Sequence, residues 1–314
     1  MNILDLKTFL KVIEYRSTLL ASKHMHASQP TISRRIKKIE QEVGAQLLFS
    51  NHLGLELTEK GKAFLPYFRQ LVNIYNEMMK AEHNDRKSQP KLNINVGVNP
   101  YVSFSVLPEF INHMHEHHPE YFIVSKIAPG KDRRINLENG NFDLVILPKA
   151  GDSSVDSIST TALWQEKILP VVSVNHPLAK QDSPISLAEL VKYDAILLGG
   201  QSLLRQNFDA LVAQKGLSLK IAAEVNTIYN NIKMIEFGKS WGLINERLLN
   251  EQLRIVQLSD FSMDLEFHAY YQKKRSEERL IWMFVEHLKK WLHNSPDFRK
   301  YLIKTKSLSI QNDS

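Results

Sequence analysis

The sequence predicts a multidomain chain with a small, mostly helical N-terminal module, one long helix and a larger α/β domain. Three observations predict it. Apolar residues recur at helical spacing through about the first 80 residues. The polar segment 82–90, which ends at Pro90, then interrupts that pattern and marks a domain boundary. Beyond it, short apolar strands alternate with helical stretches, which favours an α/β fold with a largely parallel sheet.

The composition excludes several classes of protein. The chain has 314 residues with a hydrophobic fraction of 43%, enough for two or three buried cores. It contains no cysteine, which excludes disulfides and cysteine-ligated zinc. No apolar run approaches the roughly 20 residues of a membrane-spanning helix, and the N-terminus lacks the pattern of a secretory signal. We therefore expect a cytoplasmic protein with no membrane partner.

Positive charge is concentrated at the N-terminal end of the chain. Residues 1–87 contain 14 Lys and Arg against 9 Asp and Glu, a net charge of +5. The remaining residues contain 26 Lys and Arg against 25 Asp and Glu, so they contribute only +1 of the total net charge of +6. A localised basic region is typical of a protein whose partner carries phosphates.

Residues 28–40 predict an amphipathic helix with one basic face. Ile32, Ile36 and Ile39 share one side, while Ser28 is a good N-cap and Pro30 suits the first turn. A shorter helix precedes it across a tight turn, and the two together make a helix-turn-helix. Gly44 closes the second of these helices. A turn at residues 51–54 then indicates a hairpin, or wing. Taken alone, the basic face is more simply a solvated surface, but these neighbours favour a recognition helix. Polar groups at its start suit base edges and its cations suit phosphates. The predicted DNA-binding residues are Ser28, Gln29, Pro30, Thr31, Ser33, Arg34, Arg35, Lys37, Lys38 and His52.

A long helix is predicted from Thr58, its expected N-cap, onward. Its large apolar residues are spaced 4, 3, 4 and 3, the pattern of a short coiled coil. The alternative is a helix that packs on its own domain. We favour dimerisation, because nothing else in the first 90 residues would cover so aromatic a stripe. The predicted seam residues are Phe64, Phe68, Leu71, Tyr75 and Met78.

The N-terminal motifs resemble the winged helix-turn-helix of the LysR-type transcriptional regulators. The resemblance covers residues 6–71, and three positions depart from the usual family pattern: Leu19 replaces a Thr, Ser22 an Ala and Asn51 an Arg. The last change removes a natural phosphate or minor-groove contact. The matching residues are Phe9, Ser17, Ala21, Ser28, Gln29, Pro30, Ser33, Ile36, Glu40, Gly44, Leu48, Phe49, Leu57, Thr58, Glu59, Gly61 and Pro66.

Residues 91–295 resemble the effector-binding domain of the same family. That domain is two-lobed and α/β, and it resembles type 2 periplasmic binding proteins. The residues that carry this resemblance are Val96, Gly97, Leu107, Pro108, His118, Pro119, Gly140, Phe142, Asp143, Leu144, His176, Pro177, Leu178, Gly238, Trp241, Gly242, Leu243 and Ile244.

A ligand is expected beyond the carboxyl ends of the predicted strands, where helix N-termini offer free N–H groups. Hydroxyl, amide and backbone groups there suit a carboxylate or another small anion, and Lys149 or Arg205 could pair with it. The alternatives are ordinary N-capping by Ser202 and Thr227, and solvent exposure of the two cations. The candidate effector-binding residues are Asn99, Pro100, Tyr101, Val102, Ser103, Pro129, Gly130, Pro148, Gln201, Ser202 and Thr227.

Other chemistry has little support in the sequence. His113 and His117 share a helix face, but no second cluster completes a metal site, so we expect no metal. No nucleophile elbow, P-loop or dinucleotide-binding motif is present, so we expect neither an enzyme nor a cofactor. Two other interpretations remain: a solute-binding protein or small enzyme with a basic N-terminal appendage, and a non-specific architectural DNA protein.

The resemblance implies an organisation and a set of partners. It implies a DNA-binding domain at 1–58, a linker helix and hinge at 59–90, an effector domain at 91–295 and a tail at 296–314. Lobe one would comprise 91–161 and 268–295, and lobe two 162–267. The implied partners are double-stranded DNA with an interrupted inverted repeat, a small effector, further copies of the chain as homodimer or homotetramer, and RNA polymerase. The implied location is the nucleoid within the cytoplasm.

Overall fold

The computed structural model describes residues 1–51, 54–83, 92–128, 137–138, 140–151, 156–276 and 278–302. The chain divides into two compact units. The first comprises Met1–Asn95, His118–Val124 and Asp132–Asp143, and the second comprises Val96–His117, Ser125–Lys131 and Leu144–Ser314.

Three helices open the first unit, as the sequence predicts. Asn2, Ser17 and Ser28 cap their N-termini through side-chain oxygens, and Gly44 closes the third in the left-handed conformation at φ 71°. The helices are α1 (Ile3–Tyr15), α2 (Thr18–His24) and α3 (Gln29–Val43).

The predicted wing and long helix follow. Strands β1 (Leu48–Asn51) and β2 (Gly54–Leu57) pair antiparallel, and helix α4 (Glu59–His83) comes next. The Thr58 hydroxyl accepts a hydrogen bond from the Gly61 N–H at 3.0 Å, which confirms Thr58 as the cap of α4. A Cβ on Gly61 would lie 2.1 Å from the Leu47 carbonyl oxygen, so this contact between helix and wing requires glycine.

A single apolar cluster holds these elements together. Ile32, Ile36 and Ile39 of α3 are buried, as their spacing predicts, and they pack with Phe9 of α1 and Phe68 of α4. The Phe9 and Phe68 rings meet edge to face with centroids 5.3 Å apart.

The α/β part of the chain contains a mixed sheet rather than the largely parallel one expected. The strands of this part are β3 (Leu92–Val98), β4 (Tyr121–Ile127), β5 (Leu144–Pro148), β6 (Ile158–Ser173), β7 (Asp194–Leu198), β8 (Lys220–Val225), β9 (Gly242–Asn245), β10 (Leu253–Ile255) and β11 (Asp264–Gln272). The strand order of the mixed sheet is β10-β6-β11-β5-β3-β4, with β9 also paired to β6. β3 and β5 run parallel, but β11 is antiparallel to β5 and β6, and β6 is antiparallel to β9 and β10.

The long strand β6 explains this difference. Its N-terminal half pairs with β11 and its C-terminal half with β9 and β10, so one strand continues from the first lobe into the second. In the second lobe, β7 and β8 pair in parallel. Ala195 of β7 also forms an isolated parallel β-bridge with Trp241, the residue before β9. The sequence predicts this strand only from Lys167 onward, because the preceding Ser and Thr residues hide its first half.

Helices alternate with the strands along the chain, as the sequence predicts. They are α5 (Pro100–Ser105), α6 (Leu107–His117), α7 (Leu187–Leu190), α8 (Leu203–Gln214), α9 (Ile228–Phe237) and α10 (Arg279–Asn294).

The chain beyond α10 continues into the predicted C-terminal tail, residues 296–314. Phe298 is fully buried, and its ring lies 5.1 Å from that of Trp291 and 6.0 Å from that of Trp164. Phe298 and Tyr301 therefore anchor this segment to the core of the second unit, while most of the residues around them are exposed. Residues 303–314 and 84–91 lie outside the described residues. No described helix is long and apolar enough to cross a membrane.

Candidate functional site

The N-terminal end of α3 presents an exposed row of polar groups. Ser28, Gln29 and Pro30 are exposed, and Thr31 and Ser33 are half-buried. The Ser28 Oγ accepts from the Thr31 N–H at 3.3 Å and also bonds the Thr31 Oγ1 at 2.8 Å. These bonds fix the first turn of the helix while leaving its outer side open to a partner.

Helix α2 supports this end of α3. The Gln29 Nε2 donates to the Thr18 Oγ1 at 3.2 Å, which joins the first residue of α3 to the first residue of α2. The side chains at the starts of both helices therefore belong to one surface.

The four predicted cations of α3 fall into two pairs. Arg35 Nη1 donates to the Thr8 Oγ1 of α1 at 3.2 Å, and Lys38 Nζ lies 3.5 Å from a carboxylate oxygen of the buried Asp5. Arg34 and Lys37 are exposed and have no ion-pair partner among the described residues. The cations available for a phosphate are thus Arg34 and Lys37, whereas Arg35 and Lys38 also tie α3 to α1.

One carboxylate holds the chain between α3 and the wing. The Glu40 Oε1 accepts from the backbone N–H groups of Leu47 at 2.8 Å and Leu48 at 3.2 Å. His52, predicted to reach DNA from the wing, lies outside the described residues.

The structure corrects the predicted seam of α4. Phe68 is only 3% exposed and stacks on Phe64 within the core, and the Tyr75 ring lies under the Lys7 ammonium at 5.0 Å. Phe68 and Tyr75 contact α1, and the prediction that Phe68 forms a dimer seam is wrong because its side chain is buried in its own domain. Phe64 is partly buried against the same core.

A different stripe of α4 remains exposed. Its residues are spaced 4, 3 and 4 along the chain. The stripe is displaced around the helix axis from the aromatic residues that contact α1. Its members, 46–59% exposed, are Tyr67, Leu71, Ile74 and Met78. Leu71 and Met78 of the predicted seam therefore remain accessible to a partner.

The first predicted effector segment, after β3, is partly built into the core. Asn99 caps α5 by accepting from the Val102 N–H at 2.8 Å. Pro100 and Ser103 are half-buried. Tyr101 is 4% exposed and Val102 is fully buried, so these two side chains are covered by the rest of the domain.

The lobe-two segments lie together at the ends of β7 and β8. The Gly199 N–H donates to the Val225 carbonyl at 3.0 Å, which brings the starts of α8 and α9 to one edge. Thr227 caps α9 by accepting from the Asn230 N–H at 3.2 Å, whereas Ser202 makes no side-chain capping bond. Gln201 is exposed. N-capping therefore accounts for Thr227 but not for Ser202.

The remaining effector candidates have different placements. Pro148 ends β5 and is half-buried, and Pro129 and Gly130 lie outside the described residues. The Lys149 Nζ is 3.6 Å from a Glu266 carboxylate oxygen, so a carboxylate already lies beside this cation.

Arg205 is a structural residue rather than an anion ligand, and only 8% of it is exposed. Its Nε lies 2.7 Å from an Asp209 carboxylate oxygen, and its Nη1 lies 2.7 Å from Glu224 and 3.1 Å from the Leu198 carbonyl. The Nε and Nη1 donors of Arg205 are therefore already occupied by acceptors of its own domain.

An aromatic pair that sequence reasoning missed connects the two groups of strand ends. The rings of Phe104 on α5 and Tyr229 on α9 have centroids 5.7 Å apart, and both side chains are about half exposed. The pair joins the helix after Asn99 to the helix after Thr227. No sequence pattern relates two positions so far apart in the chain.

Glu166 is a second missed feature, buried at 1% exposure in the middle of β6. Its carboxylate accepts from the Tyr101 hydroxyl, from Trp164 Nε1 at 2.8 Å and from Asn245 Nδ2 at 3.1 Å. Burial raises the pKa of Glu166, although these three bonds and the nearby Arg247 act in the opposite direction. The carboxylate thereby joins α5, β6 and β9.

The sequence contained a signal for Glu166. Trp164, Glu166 and Ile168 alternate along the strand and are all buried. A carboxylate on the buried face of a strand requires donors around it, but the sequence does not identify which residues supply them.

The histidines of α6 form no described metal site. The His113 and His117 rings stack with centroids 4.3 Å apart, and His117 Nδ1 bonds the His113 carbonyl at 3.0 Å. Among the described residues, no group of three His, Asp or Glu could hold a metal ion.

The architecture and these two sets of residues define a DNA-binding protein with a ligand-binding domain. Residues 3–62 match the bacterial regulatory helix-turn-helix protein, lysR family, and residues 87–293 match the LysR substrate binding domain. The chain therefore belongs to the LysR family of transcriptional regulators.

Similar proteins come from several bacteria. The chain is 27% identical over 208 residues to the DNA-binding transcriptional dual regulator OxyR of Escherichia coli, which is 65% of this chain and 66% of that protein. It is 24% identical over 301 residues to the malolactic fermentation system transcriptional activator of Lactococcus lactis, covering 92% and 98%. The structure of a full-length OxyR variant from Pseudomonas aeruginosa matches with a TM-score of 0.64 and 16% identity, covering 92% of this chain and 98% of that one. The structural likeness concerns the fold.

Proposed function

We propose that the exposed N-terminal half of α3 binds the major groove of a specific DNA operator. Ser28, Gln29, Pro30, Thr31 and Ser33 face the base edges. Arg34 and Lys37 contact phosphates or guanine, and Arg35 and Lys38 assist from positions that also hold α1. The observation that carries this proposal is the fixed polar helix start, capped by Ser28 and joined to Thr18, beside two cations that have no described ion-pair partner.

We further propose that the chain acts as a dimer or a dimer of dimers. The exposed stripe of α4, with Leu71 and Met78 among its members, supplies the apolar face of the pairing helices. Two recognition helices would then lie in major grooves roughly 34–36 Å apart, so the operator is an interrupted inverted repeat.

The effector domain takes a small molecule at the strand ends of its two lobes. We propose Asn99, Ser103, Pro148, Gln201, Ser202 and Thr227 as its candidate contacts. Ser202 is the best supported hydroxyl, because its oxygen makes no capping bond. Polar groups at helix starts suit a carboxylate or another small anion. The domain boundaries proposed from the sequence, 1–58, 59–90 and 91–295, assign this binding to the last segment.

Regulation follows from a difference in effector affinity between two arrangements of the protein. An effector that binds one arrangement more tightly shifts the population toward it and changes operator binding or the contact with RNA polymerase. Such a regulator works in the cytoplasm at the nucleoid. The 314 residues contain no cysteine, so a thiol in this chain does not carry the signal.

The test is a binding titration of Arg34→Ala. An operator is first selected from a random DNA library with the parent protein, and affinities are then measured at several salt concentrations. Loss of one good base or phosphate contact should weaken binding by at least about fivefold, and loss of a phosphate contact should reduce the salt slope by about one. Lys290→Ala, an exposed cation of α10, is the matched control. Equal affinity for parent and Arg34→Ala would contradict the assignment of α3.

A further inference from the structure

The start of α2 carries two exposed leucines beside the recognition helix. Leu19 is 51% exposed and Leu20 is 45% exposed. The inner side of this short helix is formed by Ala21 and Ser22, which are buried, so the leucines point outward.

Their position is fixed relative to α3. They directly follow Thr18, whose hydroxyl accepts the bond from Gln29, and the Leu20 N–H donates to the capping Ser17 Oγ at 3.3 Å. The apolar pair is therefore continuous with the polar start of α3, the surface proposed to enter the major groove.

An aliphatic side chain has neither charge nor donor for a phosphate. In the major groove, the group that it can recognise is the 5-methyl group of thymine, which no other base presents. We propose that Leu19 and Leu20 contact a thymine methyl in each half-site and so select the operator sequence. This inference rests on the proposed placement of α3 in the major groove.

The test replaces each thymine of the selected operator by deoxyuridine, which removes only the methyl group. Deoxyuridine at one thymine position of a half-site should weaken binding of the parent protein about fourfold, which is the effect of no longer burying about one methyl group. Substitution in both half-sites should then cost about sixteenfold, because separated positions act independently.

The Leu19→Ala/Leu20→Ala variant should bind the thymine operator as weakly as the parent binds the deoxyuridine operator, and it should no longer distinguish the two. Its salt slope should match that of the parent, since no phosphate contact is removed. Alanine is a good helix former, so α2 should be retained. Leu4→Ala is the matched control, because Leu4 is 44% exposed in α1 and its neighbour Asp5 pairs with the C-terminal half of α3.

Two results would overturn the inference. One is a parent that tolerates deoxyuridine at every position; if the double variant nevertheless binds weakly, the leucines contact the sugar instead. The other is a double variant that remains as sensitive to deoxyuridine as the parent. In each case the selected operator still binds, so the proposed function survives. A parent protein that selects no DNA sequence at all would contradict both this inference and the proposed function of α3.

Discussion

The hydrogen bond from Tyr101 to the buried Glu166 offers a stringent test of how the second unit is held together. Tyr101→Phe removes only the hydroxyl that donates to this carboxylate and leaves the ring beside Phe267, with centroids 5.3 Å apart, in place. The carboxylate then keeps only the donors of Trp164 and Asn245.

The expected loss depends on pH. A bond to an ionised acceptor is worth about 1.5–3 kcal/mol, and a neutral one about 1 kcal/mol. Burial raises the folded-state pKa of Glu166 above its unfolded value, so its stabilising contribution is full at low pH and is lost as the pH rises through the folded pKa. The Tyr101 bond lowers that pKa, so removing it raises the pKa further and the deficit of the variant grows with pH.

The assay is thermal unfolding of parent and variant at pH 5 and pH 8. About 2 kcal/mol in a unit of this size corresponds to a fall in Tm of roughly 4–8 °C at pH 8, and the fall should be smaller at pH 5. Tyr271→Phe is the control, because its hydroxyl bonds the neutral Thr161 Oγ1 at 3.0 Å and should cost about 1 kcal/mol at either pH. A Tyr101→Phe deficit that is equal at both pH values, or no larger than that of the control, would refute the reasoning.

Three further variants test the first unit. Ser28→Ala removes the cap of α3, bonded to the Thr31 N–H, and should lower the free energy of unfolding by about 1 kcal/mol; denaturant melts measure this, and Ser28→Asn should restore it. Leu71→Glu places a charge in the exposed stripe of α4 and should lower the mass by light scattering; an unchanged mass would exclude this stripe as the seam. Gly61→Ala should lower the unfolding free energy by about 2–3 kcal/mol, because its Cβ would lie 2.1 Å from the Leu47 carbonyl oxygen; an unaltered melting curve would contradict that close approach.

The recognition helix was predictable because its signals are local. The spacing of Ile32, Ile36 and Ile39 identifies the buried face, and Ser28 and Gly44 mark the two ends. Strand β3 is readable for the same reason, since its alternating apolar residues from Leu92 to Val98 and its flanking polar segment lie close together in the chain.

The seam of α4 was not predictable in the same way. Phe68 and Leu71 lie about 60° apart around the helix axis, and which of them is buried depends on where α1 lies. The spacing of the two residues can be read from the sequence, but the contact of Phe68 with Phe9 of α1 cannot. Tertiary packing therefore decided which side of the stripe stayed exposed.

The effector segment shows a similar limit. The position of Asn99 after a strand was readable, but the short helix α5 that turns Tyr101 inward was not. The reason Tyr101 turns inward is a buried acceptor, Glu166, which lies 65 residues further along the chain. Partners at such separation follow from the topology of the sheet rather than from any local pattern.

Genome-wide capture of DNA fragments bound by the parent protein and by Arg34→Ala tests the central claim, sequence-specific recognition by α3, most directly. The account predicts a small number of sharp parent peaks that share an interrupted inverted repeat, and their loss in the variant. Diffuse parent binding without a common motif, or identical sharp peaks for both proteins, would contradict it.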